Sequence, residues 1–239
     1  MPSGAYFFGG IALKNPFNDL SKFELSLWII SVVAVSATFF LFGQTDCLTL
    51  AASLVGVTAL IFVAKGYVVG QVLTVAFAVL YGIISFKQRY YGEMITYLGM
   101  TAPISVVAAI NWLRNPYKGT KEVIVARLSS LQKWMMFFLA AGVTAVFCFI
   151  LKALGNASLF FSTVSITTSF LASYLTACRS AYYALAYAAI VVVLIVLWII
   201  AAGNDAGCVP MIACFFAFLV NDIYGFINWQ SIRKRQRSQ

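Results

Sequence analysis

The 239-residue chain is 62% hydrophobic and only 10% charged, with a mean hydropathy of +0.93 and a net charge of +9. Soluble domains are roughly half apolar and a quarter charged, so this composition excludes them and points to an integral membrane protein whose apolar runs are parted by short polar breaks. The basic residues sit in interhelical loops and the tail and form no contiguous reading surface, which argues against nucleic acid as a partner.

The amino-terminal "MPSGAYFFGGIALKNPFNDLSKF" has no basic start followed by an apolar core and a small-residue cleavage site, so it is expected at the interface rather than as a cleaved leader. A membrane-spanning helix takes about 20 mainly apolar residues. Eight stretches qualify: 26–42, 47–64, 69–86, 93–112, 134–151, 158–178, 181–202 and 208–229. All are predicted helical, because their apolar runs are continuous rather than alternating and lipid requires backbone bonds satisfied within the segment.

Threading the membrane eight times puts thirteen of the sixteen lysines and arginines on one side and Lys87, Arg89 and Lys152 on the other. The positive-inside bias then places both termini in the cytoplasm. Trp28, Trp112, Trp134 and Trp229 fall at helix ends on that side, as an aromatic belt would, whereas Trp198 does not. Cys47, Cys148, Cys178, Cys208 and Cys214 show no paired spacing and read as small apolar fillers.

A weak internal repeat runs at a shift of 117 residues: "INW" at 110–112 returns at 227–229, and "LYGII" at 80–84 overlies "LWIIA" at 197–201. The shift maps spans two to four onto spans six to eight, so the triplets are parallel, as in transporters with a midplane site between repeats. The implied division is 1–45 for an interfacial segment and first helix, 46–115 for the first repeat, 116–155 for a basic loop and linker helix, 156–230 for the second repeat, and 231–239 for a basic cytoplasmic tail.

Polar residues inside the spans are the functional candidates. "NDIYGFINW" (221–229) sets Asn221, Tyr224 and Asn228 on one helix face with Asp222 beside it, and Asn221 falls about 12 Å inward of Trp229, near the midplane. Such residues either line a substrate path or tie helices together. In span three Gln71 and Thr74 stand three apart, as substrate contacts or as helix bridges, and Gly66 and Gly70 form a weak small-xxx-small pattern. The hydroxyls of "STVSITTSF" (162–170) read mainly as packing, with Thr167 able to touch a ligand. Trp198 and Tyr81 hold equivalent repeat positions, for stacking a ring or for an outer belt. Glu93 reads as a solvated helix-start acid, and "NAS" at 156–158 as a chance glycosylation match. Histidine is absent, and no phosphate loop, metal motif or nucleophile elbow occurs, so neither ATP hydrolysis nor intramembrane enzymology is expected.

The segments "AKGYVVGQVLTVAFAVLYGIISFKQRYYGEMITYLGMTAP", "INWLRNPYKG", "SFLASYLTACRSAYYALAYAA" and "VNDIYGFINW" resemble the PnuC family of bacterial nicotinamide riboside transporters over residues 45–235. The resemblance implies an all-α, SWEET-like membrane fold of two parallel three-helix bundles joined by a linker helix, with an extra amino-terminal helix and a homotrimeric assembly. It implies facilitated diffusion of a small vitamin precursor across the bacterial inner membrane, with metabolic trapping and no cofactor. Relatives that carry thiamine or deoxynucleosides, and a ligand-binding subunit that does not transport, are the alternatives. Family site positions fall on Gln71, Asn221, Asp222 and Tyr224. Gln71 and Asn221 are assigned to the ribose hydroxyls or carboxamide, and Trp198 or Tyr187 to stacking on the ring. Span seven departs from the pattern: "AYAAIV" stands where the family has "AYAAND", so Ile190 and Val191 replace a polar pair, and Tyr182, Tyr183 and Tyr187 stand where tryptophans are frequent. Weak binding, an altered substrate or an engineered variant are the implied readings.

Overall fold

A computed structural model describes residues 7–8, 11–12, 15–41, 47–87, 91–153, 159–203 and 209–238. A two-residue hairpin, β1 (Phe7–Phe8) with β2 (Ile11–Ala12), precedes the helices. They are α1 (Lys22–Leu41), α2 (Cys47–Ala64), α3 (Val68–Lys87), α4 (Tyr91–Thr96), α5 (Ala102–Leu113), α6 (Ser130–Ala153), α7 (Leu159–Ala177), α8 (Tyr183–Ala202) and α9 (Val209–Ser238). A π-helical turn, Tyr97–Thr101, joins α4 to α5, so the described residues form eight helical rods. Six of them are long and apolar enough to cross a membrane by length and composition.

Packing divides the rods as the repeat predicts. α2, α3 and α4–α5 form one bundle and α7, α8 and α9 the other, with contacts between them through α2 and α9 and through α5 and α7. α6 lies against α7 as the linker, and α1 lies in the groove between α2 and α9. α3 approaches α2 closely at Gly70, where a Cβ would stand 2.4 Å from the Val63 backbone nitrogen.

The first helix of each bundle ends in the same way. Gly66 (φ 74°) and Arg179 (φ 57°) take the left-handed conformation. The Gly66 and Arg179 N–H groups bond Val63 O and Thr176 O, and the Tyr67 and Ser180 N–H groups bond Phe62 O and Leu175 O, the Schellman arrangement. The 114–129 loop then ties the two ends together: Val123 N–H donates to Gly66 O and Ala126 N–H to Arg179 O.

Several boundaries differ from the sequence reading. α6 begins at Ser130 rather than 134, because Ser129 and Gln132 form a capping box. α9 continues to Ser238, so the basic tail is helical; Gln236 bonds Val125 N–H and Val123 O, and Arg235 pairs with Glu122. Span four is interrupted by its π turn just before Pro103, which has no N–H to offer the ladder.

Candidate functional site

The "INW" repeat closes one end of the molecule. On α5, Asn111 Nδ2 donates to Ala177 O at 2.6 Å and Trp112 Nε1 to Thr176 O at 2.9 Å. On α9, Asn228 Nδ2 donates to Ala64 O and Trp229 Nε1 to Val63 O, both at 2.9 Å. Each bundle thereby donates to carbonyls at a helix terminus of the other bundle, Val63 O and Thr176 O accepting a second bond beside that of the Schellman turn. Trp112 and Trp229 are 1% and 0% exposed and pack with Val63, Val123, Tyr183 and Ile232, so they form a plug rather than a belt. Trp28 donates to Thr58, and Trp134 alone of the four is exposed as a belt residue would be.

Above this plug lies a cavity of about 120 Å³ between the two bundles. α2, α3 and the π turn wall one side, and α7, α8 and α9 the other. Its polar lining includes Gln71, Thr74, Thr96, Thr101, Ser169, Ser173, Thr176 and Asp222, set among Phe77, Tyr97, Tyr183, Tyr187, Phe215 and Phe218. Gln71 and Asp222 are 2% and 4% exposed and face the cavity from opposite bundles. No hydrogen bond or ion pair joins either side chain to another described residue, so both present unused capacity to a ligand.

Six of the residues expected at a site therefore meet at one cavity: Gln71, Thr74, Tyr187, Ile190, Val191 and Asp222. Thr74 also returns its hydroxyl to Gly70 O, and the Tyr187 hydroxyl lies 3.3 Å from Ser173 Oγ. Ile190 and Val191, each 5% exposed, give α8 an apolar wall opposite α3.

Three others stand elsewhere. Asn221 Nδ2 donates to Ser31 Oγ of α1 at 3.0 Å and to Ala217 O, and its Oδ1 is buried without a partner. The Tyr224 hydroxyl donates to Glu24 Oε1 of α1 at 2.7 Å, and Asn228 caps α2. The face these residues share is turned toward α1 and the α2 terminus; one position further on, Asp222 reaches the cavity. The Trp198 side chain lies outside the described residues, as do the "NAS" segment and Cys208.

Sequence reasoning missed two features. Glu24 is 3% exposed and accepts from Lys65 Nζ at 2.7 Å, from Ser21 N–H and from Tyr224, so α1 is fastened by a buried ionic hub. The signal was present in "SKFE", a capping box opening α1. Glu93 is half-buried and accepts from the Tyr81 hydroxyl at 2.7 Å. Tyr81 and Tyr97 have ring centroids 4.5 Å apart, and Phe77 packs on both Tyr97 and Phe218, forming an aromatic layer at the end of the cavity remote from the plug.

Two parallel three-helix bundles enclosing a central cavity, with an added helix on the outside, define a multi-pass membrane protein with the architecture of parallel-repeat transporters. The chain belongs to the nicotinamide mononucleotide transporter family, whose model matches residues 46–231, and is thus a transporter rather than an enzyme. It is similar to the nicotinamide riboside transporter PnuC of Neisseria mucosa, 25% identical over 95% of this chain and 88% of that one. The nicotinamide riboside transporter PnuC of Haemophilus influenzae is 23% identical over 93% of this chain and 96% of its own. The crystal structure of the vitamin B3 transporter PnuC superposes with a TM-score of 0.78 at 24% identity, over 92% of this chain and 95% of that one, and shares its fold.

Proposed function

We propose that this chain carries nicotinamide riboside, or a nucleoside-like vitamin of similar size, across the bacterial inner membrane by facilitated diffusion with metabolic trapping. Both termini face the cytoplasm and the assembly is a homotrimer. The observation that carries the reading is the pair of buried, unpartnered side chains, Gln71 and Asp222, facing one cavity from opposite bundles. An ionised carboxylate in hydrocarbon is costly, and a pyridinium ring carries the charge that offsets it. Gln71 offers both a donor and an acceptor to a carboxamide or ribose hydroxyl. Tyr187 supplies an aromatic face for stacking. The two related nicotinamide riboside transporters support the substrate class, and the thirteen-to-three basic bias supports the orientation.

Transport follows from rocking of the bundles, with the plug and the aromatic layer as the two closures. Uptake of labelled nicotinamide riboside into proteoliposomes tests the proposal. Accumulation above protein-free vesicles is expected, competed by unlabelled compound. No uptake, with thiamine or deoxynucleosides carried instead, overturns the substrate assignment. Binding without flux overturns transport itself. Light scattering of the purified chain in detergent tests the trimer.

A further inference from the structure

At the basic end, a cleft separate from the central cavity opens between the 126–128 loop, the start of α6, the α7–α8 turn and α9. Arg127, Lys133 and Arg233 line it, beside Tyr182. The Arg233 guanidinium carbon lies 5.4 Å from the Tyr182 ring centroid, while its Nε is buried with no partner. Arg233 first, then Arg127 and Arg237, hold the Tyr182 hydroxyl below the ordinary phenol range. The described acids at this end are already committed: Asp19 to Lys121, Glu24 to Lys65 and Glu122 to Arg235. No described carboxylate is therefore left to neutralise the cleft.

We propose that this cleft is a binding site for a phosphate group, held by Arg127 and Arg233 with Lys133 supplying a further charge. Guanidinium forks match phosphate oxygens in pairs, and Lys133 adds a point charge to them. The other wall is apolar: Met136 and Phe137 of α6 and Leu175 of α7. It continues onto the outer face of α6, where Trp134 is 75% and Phe138 80% exposed. A basic mouth joined to an apolar wall at the end of a helix bundle suits the headgroup of an anionic phospholipid. A soluble phosphate compound would use the same three cations without the wall. The site is independent of what the central cavity carries.

The test uses the full chain purified in detergent and stripped of lipid. Phosphatidylglycerol, phosphatidylcholine and inorganic phosphate are titrated separately, and bound lipid is counted by native mass spectrometry. Phosphatidylglycerol is expected to bind at least tenfold more tightly than phosphatidylcholine. That preference should fall at least tenfold in the Arg127→Gln, Arg233→Gln double variant and stay intact in Arg114→Gln, a control at an exposed position away from the cleft. The Arg127→Lys, Arg233→Lys pair keeps the charge and should retain part of the binding. Inorganic phosphate that raises the unfolding temperature of the parent, but not of the Gln pair, assigns the site to a soluble phosphate compound instead. Phosphatidylglycerol binding that is equal in parent and Gln pair, or no preference over phosphatidylcholine together with no phosphate effect, overturns the proposal.

Discussion

The indole rings of Trp112 and Trp229 lie 5.3 Å apart, and each donates its N–H to the helix end of the opposite bundle. Four hydrogen bonds, two from each "INW", hold the two bundles together at this end of the cavity.

That arrangement predicts a balanced loss. Asn111→Ala and Asn228→Ala each remove one cap and should each cost about 1 kcal/mol of stability, the usual value of such a bond. The double variant should also favour the conformation open at the basic end. Unfolding in detergent and thiol labelling of Ser173→Cys, in a cysteine-free background, read the two effects. Unchanged labelling in the double variant would separate the caps from gating.

Glu24 predicts a larger loss. Glu24→Gln leaves the Lys65 ammonium facing an amide in a largely buried setting, and breaking buried pairs costs about 3–5 kcal/mol; the partial exposure of Lys65 points to the lower end. Tyr224→Phe removes one bond to the same carboxylate, about 1.5 kcal/mol, and should leave substrate affinity unchanged. An affinity loss in Tyr224→Phe beyond about twofold would return Tyr224 to the substrate site.

Gln71 and Asp222 predict the opposite pattern. Gln71→Ala and Asp222→Asn should each weaken substrate binding about tenfold, equivalent to about 1.4 kcal/mol, without lowering the unfolding temperature, since neither side chain is hydrogen-bonded to another described residue. Titration calorimetry beside a melting curve distinguishes the two. A melting temperature that falls while affinity holds would make them structural.

The α8 wall can be tested by adding polar groups. Ile190→Asn together with Val191→Asp places an amide and a carboxylate on the cavity surface opposite Gln71. Affinity for nicotinamide riboside should rise relative to thiamine and deoxynucleosides. If it does not move for any of them, these positions do not contact ligand.

Gly70→Ala tests the packing of the first bundle. With a Cβ 2.4 Å from the Val63 nitrogen, α3 must retreat from α2, at a cost of about 3 kcal/mol. Because the same two helices wall the cavity, uptake should fall along with stability.

Much of the fold was legible in the residues. Continuous apolar runs mark the rods, and "INW" marks the repeat, because a motif that performs the same cap twice is kept in the same letters. The direction of each face was not legible. A helix that is apolar nearly all round gives no inward side, so Asn221, Tyr224 and Asn228 could be aligned with one another but not aimed. α1, which lies outside the repeat, takes up the face that a bare pair of bundles would have left open. Gln71 and Asp222 are legible as polar residues inside spans; that they remain unpartnered emerges only when neighbouring helices are in place. Glu93 looked solvated because it sits near a span boundary, and Tyr81, twelve residues earlier in the chain, gives it a partner only in three dimensions.

The crossed caps also bear on ancestry. Within one half, the carbonyls at the end of α2 are closed by α9 and not by α5, and those of α7 by α5 and not by α9. A lone three-helix unit would thus display both a donor pair and the open helix end that matches it, which makes its surface self-complementary. Two identical copies turned about the membrane normal would satisfy one another in the manner of a two-fold dimer. The chain has the architecture of such a dimer fused through α6, with Gly66 in one copy and Arg179 in the other recording how far the halves have diverged.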